Sequence, residues 1–141
     1  MRFLIVDDAE APLKVLHQVI TDMGHDVVGS ARNGQEAVEA YARLRPDVVI
    51  MDLIMPKLNG LEALKVICQS NARASVIIAS SLKSCQTALE AERLGAAYCL
   101  SKPFSIVQLR KIINKLSKKM EPRREKRSSA TAGYANPLPS A

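Results

Sequence analysis

Five short runs rich in Val and Ile, each followed by a segment whose apolar residues recur at helical spacing, constrain this chain more than any other feature. The runs are Phe3 to Val6, Val27 to Ser30, Val48 to Met51, Val76 to Ala79 and Ala97 to Leu100. Four of the five are almost wholly apolar, which suits strands buried on both faces of a parallel sheet rather than the in-and-out alternation of a half-exposed antiparallel one. The intervening segments carry helix punctuation. In the first, Leu13, Leu16, Ile20 and Met23 line one face, Pro12 takes the N1 position and Gly24 supplies the stop. Asn33 precedes the second (Gln35 to Leu44), Asn59 and Gly60 open the third (to Cys68), and Gly95 closes a fourth that starts near Ser84. Ile106, Leu109, Ile112, Ile113 and Leu116 mark the fifth. The pattern predicts an α/β fold, a (βα)5 chain with right-handed crossovers wound on both faces of a five-stranded parallel sheet.

Length and composition agree with one such domain. The chain has 141 residues, 48% of them hydrophobic and 24% charged, ordinary values for a globular protein able to bury a core. The net charge of +6 is unevenly spread. Six of the 20 basic and two of the 14 acidic side chains fall at residues 118–141, which leaves the first 117 residues nearly neutral. Past Met120 the composition turns to Ser, Ala, Gly and Pro. We therefore expect a folded domain over residues 1–117 and a flexible tail, basic then Ser/Ala/Pro-rich, over 118–141. No aromatic residue interleaves the charges between Lys118 and Arg127, which favours a solvated extension over contact with nucleic acid. Cys68, Cys85 and Cys99 have neither CxxC spacing nor nearby His partners, so reduced, mostly buried thiols are expected. Nothing is long and apolar enough for a membrane span, and the apolar start stops at Asp7, too early for a signal peptide; a cytoplasmic location is the expectation.

In a doubly wound sheet ligands bind at the carboxyl ends of the strands, and there the polar residues gather. Asp7 and Asp8 follow the first run, Asp52 the third, Ser80 and Ser81 the fourth, and Lys102 the fifth. Any one acid after a strand is usually a cap or a solvated turn. Together they carry more weight. Three carboxylates at one strand end repel unless a cation sits among them, and an all-oxygen donor set with room for water points to Mg2+.

In Val6-Asp7-Asp8, in Asp52-Leu53-Ile54-Met55-Pro56 with Gly60, in the hydroxyl of Ser80 and in Lys102-Pro103-Phe104, the sequence resembles the receiver domains of bacterial response regulators, and among them the single-domain chemotaxis type. The resemblance spans residues 1 to about 117 and implies a flavodoxin-like fold. It implies further that Asp52 accepts a phosphoryl group from a histidine kinase or phosphotransfer protein. Asp7, Asp8, Asp52 and the backbone carbonyl of Ile54 would hold Mg2+, Lys102 would screen the transferred charge, and Ser80 would act as a switch hydroxyl. The Lys102-Pro103 bond would be cis. Such a chain is a switch that changes its binding to a downstream protein rather than an enzyme acting on an external substrate, though it promotes its own phosphorylation and dephosphorylation.

Two positions depart from the family pattern. The aromatic that swings with the hydroxyl is replaced by Cys99, and Tyr98, one residue earlier, faces the other side of the strand. Ser81 stands where a smaller residue is common. In the family the residues two after the acceptor Asp and two after the switch hydroxyl flank water's approach; the resemblance puts Ile54 and Leu82 there, both apolar, which predicts a long-lived phosphorylated form. Other readings are weaker. A receiver used only for protein contacts would not need intact Asp8, Asp52, Ser80 and Lys102. An aspartate-nucleophile phosphatase would need an acid where Ile54 stands, and a phosphate-binding cofactor loop after the first strand would be repelled by Asp7, Asp8 and Glu10.

Overall fold

The computed structural model describes residues 1–55, 57, 59–81 and 85–131, with backbone alone at 85–87 and 120–131. Ten elements alternate without exception: β1 (Arg2–Val6), α1 (Glu10–Asp22), β2 (Asp26–Ala31), α2 (Gly34–Leu44), β3 (Val48–Asp52), α3 (Gly60–Ser70), β4 (Ser75–Ser80), α4 (Cys85–Leu94), β5 (Tyr98–Ser101) and α5 (Ile106–Thr131). All strand pairs are parallel, in the order β2-β1-β3-β4-β5. This is the five-stranded doubly wound sheet expected from the apolar runs. The order reverses direction between β1 and β3, and that switch point opens a crevice beyond their carboxyl ends.

The chemistry of the strands explains their places. β1, β3 and β4 are buried along nearly their whole length and hold the centre, while β2 and β5, with mixed exposure, form the edges. On one sheet face Leu4, Val6, Val49, Met51, Val76 and Ile78 pack against small residues of the helices, among them Ala37, Ala40, Ala63 and Ala91. Each fully buried Leu or Ile contributes about 1.5–3 kcal/mol. Asn33 caps α2 by accepting the Glu36 N–H at 2.9 Å while the Glu36 carboxylate accepts the Arg32 N–H at 3.0 Å, a reciprocal cap. Asn59 caps α3 through the Glu62 N–H at 3.0 Å. Tyr41, buried on α2, accepts the side-chain N–H of Asn71 just after α3 at 2.9 Å, tying the two helices together.

Several boundaries differ from expectation. Helix α1 starts at Glu10, so Pro12 is its third residue, still within the first turn where no intrahelical N–H is needed. The chain divides into two units, Met1–Phe104 and Ser105–Ala141. In the second, α5 does not stop near residue 117 but continues to Thr131, running through Pro122. Among the described residues, Cys68 is half-buried and Cys99 exposed, so the expectation of mostly buried thiols fails for Cys99, which stands on an edge strand. Pro56, Leu82, Ser84, the Cys85 side chain and residues 132–141 lie outside the described residues. No described helix is long and apolar enough to cross a membrane.

Candidate functional site

The β1–β3 register pairs Val6 with Met51, so the residues that follow on each strand, Asp7 and Asp52, emerge side by side. Asp7 is almost fully buried, and its Oδ1 accepts the Ala9 N–H at 3.0 Å, which fixes the carboxylate where α1 begins without a side-chain cap of its own. Asp8 joins from the next position. Carboxylate oxygens of Asp7, Asp8 and Asp52 all lie within 4.8 Å of one another.

From the far side comes Lys102. Its backbone N–H donates to the Ser80 carbonyl at 2.7 Å, binding the ends of β4 and β5, and the Lys102–Pro103 peptide bond is cis. Lys102 Nζ lies 2.7 Å from Asp7 Oδ2 and 3.5 Å from Asp52 Oδ2. Burial alone would lower the ammonium pKa, but the hydrogen bond to Asp7 and the charges of Asp52 and Asp7 outweigh it and hold Lys102 above its ordinary value. Asp52 goes the same way for the opposite reason. Burial pushes its carboxyl up, more than Lys102 and the Ile54 N–H, 3.3 Å from Oδ1, pull it down, and the neighbouring Asp7 charge adds to the rise. One ammonium therefore faces three carboxylates. The remaining negative charge and the all-oxygen donors suit a hard divalent cation.

Asp7, Asp8, Asp52 and Lys102 are thus brought together. Ser80 ends β4 at the same edge of the sheet and is buried, whereas the Ile54 side chain is 53% exposed. Cys99 is not part of this group. It is exposed on β5, its Sγ 4.0 Å from the Ala88 carbonyl, while Tyr98 on the opposite face is half-buried. The sequence reading missed an apolar cavity of about 470 Å³ that opens beside Asp7, Asp52 and Lys102, walled by Pro12, Val15 and Leu16 of α1 and by Phe104. An apolar Val15 lying off the stripe of Leu13, Leu16 and Ile20 was the available signal.

Gly60 closes the site from beneath. Its N–H donates to the Leu53 carbonyl at 2.8 Å, and a Cβ there would stand 2.3 Å from the Asp52 carbonyl oxygen and 2.5 Å from Leu53 Cα. Only glycine lets α3 start this close to the β3 end.

Comparison with known proteins agrees with this geometry. Residues 3–114 match the family model described as the response regulator receiver domain. The chain is 41% identical over 117 residues to the chemotaxis protein CheY of Thermotoga maritima, an alignment covering 83% of this chain and 98% of that protein. With CheY of Bacillus subtilis the identity is 38% over 114 residues, covering 81% and 95%. Among solved structures, the CheX-CheY-BeF3-Mg2+ complex of Borrelia burgdorferi superposes with a TM-score of 0.80 at 30% identity, covering 82% of this chain and 88% of that one. The response regulator domain of Thermotoga maritima CheB gives 0.75 at 37% identity, covering 86% and 96%. The chain belongs to the response regulator receiver domain family, the signal-receiving module of two-component systems.

Proposed function

We propose that this receiver takes a phosphoryl group onto Asp52 from the phosphohistidine of a histidine kinase or phosphotransfer protein, and that the modified site switches binding to a downstream protein target. The single observation carrying this reading is the Lys102 ammonium set 2.7 Å from Asp7 and 3.5 Å from Asp52 beside a third carboxylate, an acidic cluster only one-third neutralised at the sheet's switch point. An Asp52 oxygen attacks phosphorus, the P–N bond to the donor imidazole breaks with its electron pair going to nitrogen, and that nitrogen takes a proton from solvent. Phosphoryl transfer asks the protein mainly for positioning and charge screening. Lys102 supplies one positive charge against the incoming phosphoryl oxygens, and Asp7 holds Lys102 in place.

Asp7, Asp8, Asp52 and the Ile54 backbone carbonyl are the groups that would hold Mg2+, which when bound neutralises charge shared between the acceptor and the phosphoryl oxygens. The similar Borrelia burgdorferi CheY, solved in a complex with BeF3 and Mg2+, supports this assignment. Ser80 would donate its hydroxyl to a phosphoryl oxygen and move with it, a local hydrogen bond biasing a two-state loop. Cys99, at the position where the family carries a swinging aromatic, leaves that movement without a bulky partner. The chain assists its own phosphorylation and dephosphorylation and acts on no other substrate; its place is the cytoplasm.

The test is mass spectrometry after incubation with a small phosphodonor and Mg2+. One phosphoryl mass is expected on the wild type and none on Asp52→Asn. Labelling that survives Asp52→Asn would refute the acceptor, and labelling undiminished in EDTA would refute the metal.

A further inference from the structure

Among the described residues a second hollow, of about 630 Å³, lies between α1 and the edge strand β2, and none of Asp7, Asp8, Asp52 and Lys102 lines it. Phe3 pairs with Val27 but Leu4 with Gly29, so Val28 is passed over and β2 carries a bulge here. A bulge breaks the ladder an added strand would follow, which disfavours an extended peptide as occupant. Buried Ile5 and Leu13 and half-buried Val27 give the hollow an apolar side. Its other side carries nitrogen. Lys14 and His17 stand three positions apart on α1, hence on one helix face, and Arg32 follows the end of β2. Among the described residues both ion pairs belong to Lys102, so the charges of Lys14 and Arg32 are unpaired within the fold. Thr21 Oγ1 lies 3.5 Å from His17 Nδ1, which leaves Nε2 for a ligand. Glu10 is the one acid of the lining, set against two permanent cations and a third nitrogen donor.

We propose that this hollow binds a small phosphate monoester with an apolar body, the phosphoryl group on Lys14, His17 and Arg32 and the apolar part against Leu13 and Val27. Three nitrogen donors match the three terminal oxygens of a phosphate monoester better than the two of a carboxylate, and a guanidinium fork suits phosphate in particular. A concave hollow of this size with one apolar side fits a small molecule rather than a macromolecular backbone.

The test is heteronuclear NMR of the full chain titrated with phenyl phosphate in buffer free of Mg2+. Amide signals of Leu13, His17, Val27 and Arg32 should shift together, with a Kd below about 1 mM. Inorganic phosphate, which lacks the apolar part, and benzoate, which lacks the third oxygen, should each bind about tenfold more weakly. Lys14→Gln and Arg32→Gln should each weaken phenyl phosphate binding by about tenfold, and the same spectra report whether the variants are folded. Lys65→Gln and Arg73→Gln, which change cations outside the hollow, should leave the affinity unchanged. Asp52→Asn should do the same, so this site and phosphoryl transfer to Asp52 stand or fall separately. Absence of saturable shifts up to about 10 mM phenyl phosphate, shifts confined to Asp7, Asp52 and Lys102, an affinity unmoved by Lys14→Gln and Arg32→Gln, or benzoate binding as tightly as phenyl phosphate would overturn the proposal.

Discussion

Replacing Gly60 with Ala puts one methyl group where there is room for none. Its carbon would stand 2.3 Å from the Asp52 carbonyl oxygen, 2.5 Å from Leu53 Cα and 3.0 Å from the Leu53 oxygen. Carbon and oxygen approach no closer than about 3.3 Å, so the end of β3 and the start of α3 must part by about 1 Å. None of the obstructing atoms is the tip of a flexible side chain. Overpacking costs about 1–3 kcal/mol, and a rigid backbone obstacle puts Gly60→Ala at about 3. With a urea m-value of about 2 kcal/mol per molar, the unfolding midpoint should fall by about 1.5 M. Gly29→Ala is the matched control: its methyl would meet Leu44 Cδ1 at 2.6 Å, a side-chain end that can rotate away, and the cost should stay under about 1 kcal/mol. Because the displaced atoms belong to Asp52 and its neighbour, phosphoryl uptake by the folded Gly60→Ala protein should slow by about 100-fold. Urea unfolding followed by circular dichroism, with uptake rates from mass spectrometry, checks both figures. If Gly60→Ala proves no less stable than Gly29→Ala, the close-approach reasoning is wrong.

His25 gives a pH dependence. Its pKa lies below the ordinary 6.5, first through burial and then through the Met1 ammonium, 2.9 Å from Nδ1, against a smaller upward pull from Asp26. The unfolded chain therefore binds more protons just below pH 6.5, and His25's contribution, present above that value, fades as pH falls through it. His25→Gln should remove this part of the acid sensitivity in urea titrations, and identical pH profiles for the two proteins would show His25 to be irrelevant. Ser80→Ala should leave phosphorylation of Asp52 intact while the ratio of partner affinities with and without phosphate drops toward one; a ratio that keeps its wild-type value dismisses the proposed switch. Ile54→Asn places a hydrogen-bonding group beside the acceptor and should hasten loss of the phosphoryl group severalfold. Unchanged decay in a time course would mean that the apolar flank has no part in the lifetime.

Much of this architecture can be read from the residues because burial on both faces leaves an unmistakable mark. Phe3–Val6, Val48–Met51 and Val76–Ala79 are apolar at consecutive positions, and all three are central strands. The run Ala97 to Leu100 begins one residue ahead of β5, because an edge strand with alternating exposure lacks that mark. The gathering of Asp7, Asp8, Asp52 and Lys102 follows from the rule for strand ends once the strands are assigned. Two features are not legible. The continuation of α5 is not legible because Pro122 and the lack of an apolar face past Leu116 both argue against a helix there. Lys57, at φ 61°, adopts a left-handed conformation at a position that holds neither Gly nor Asn to announce it.

The strand order also sets a timetable for assembly. β1 lies between β2 and β3, with Phe3 paired to Val27 on one side and to Val48 on the other. During synthesis the N-terminal strand can find its first neighbour early, but its second only after the chain has grown past Val48. β3 then waits for Val76, and β4 for Tyr98. Each closure brings together residues more than twenty positions apart, the kind of non-local pairing that slows folding relative to helical bundles. Until β3 arrives, Phe3, Leu4, Ile5 and Val6 present one open strand edge and bare apolar faces, so the half-made chain is the species most exposed to aggregation, and the residues most in need of cover are those that end up most deeply buried.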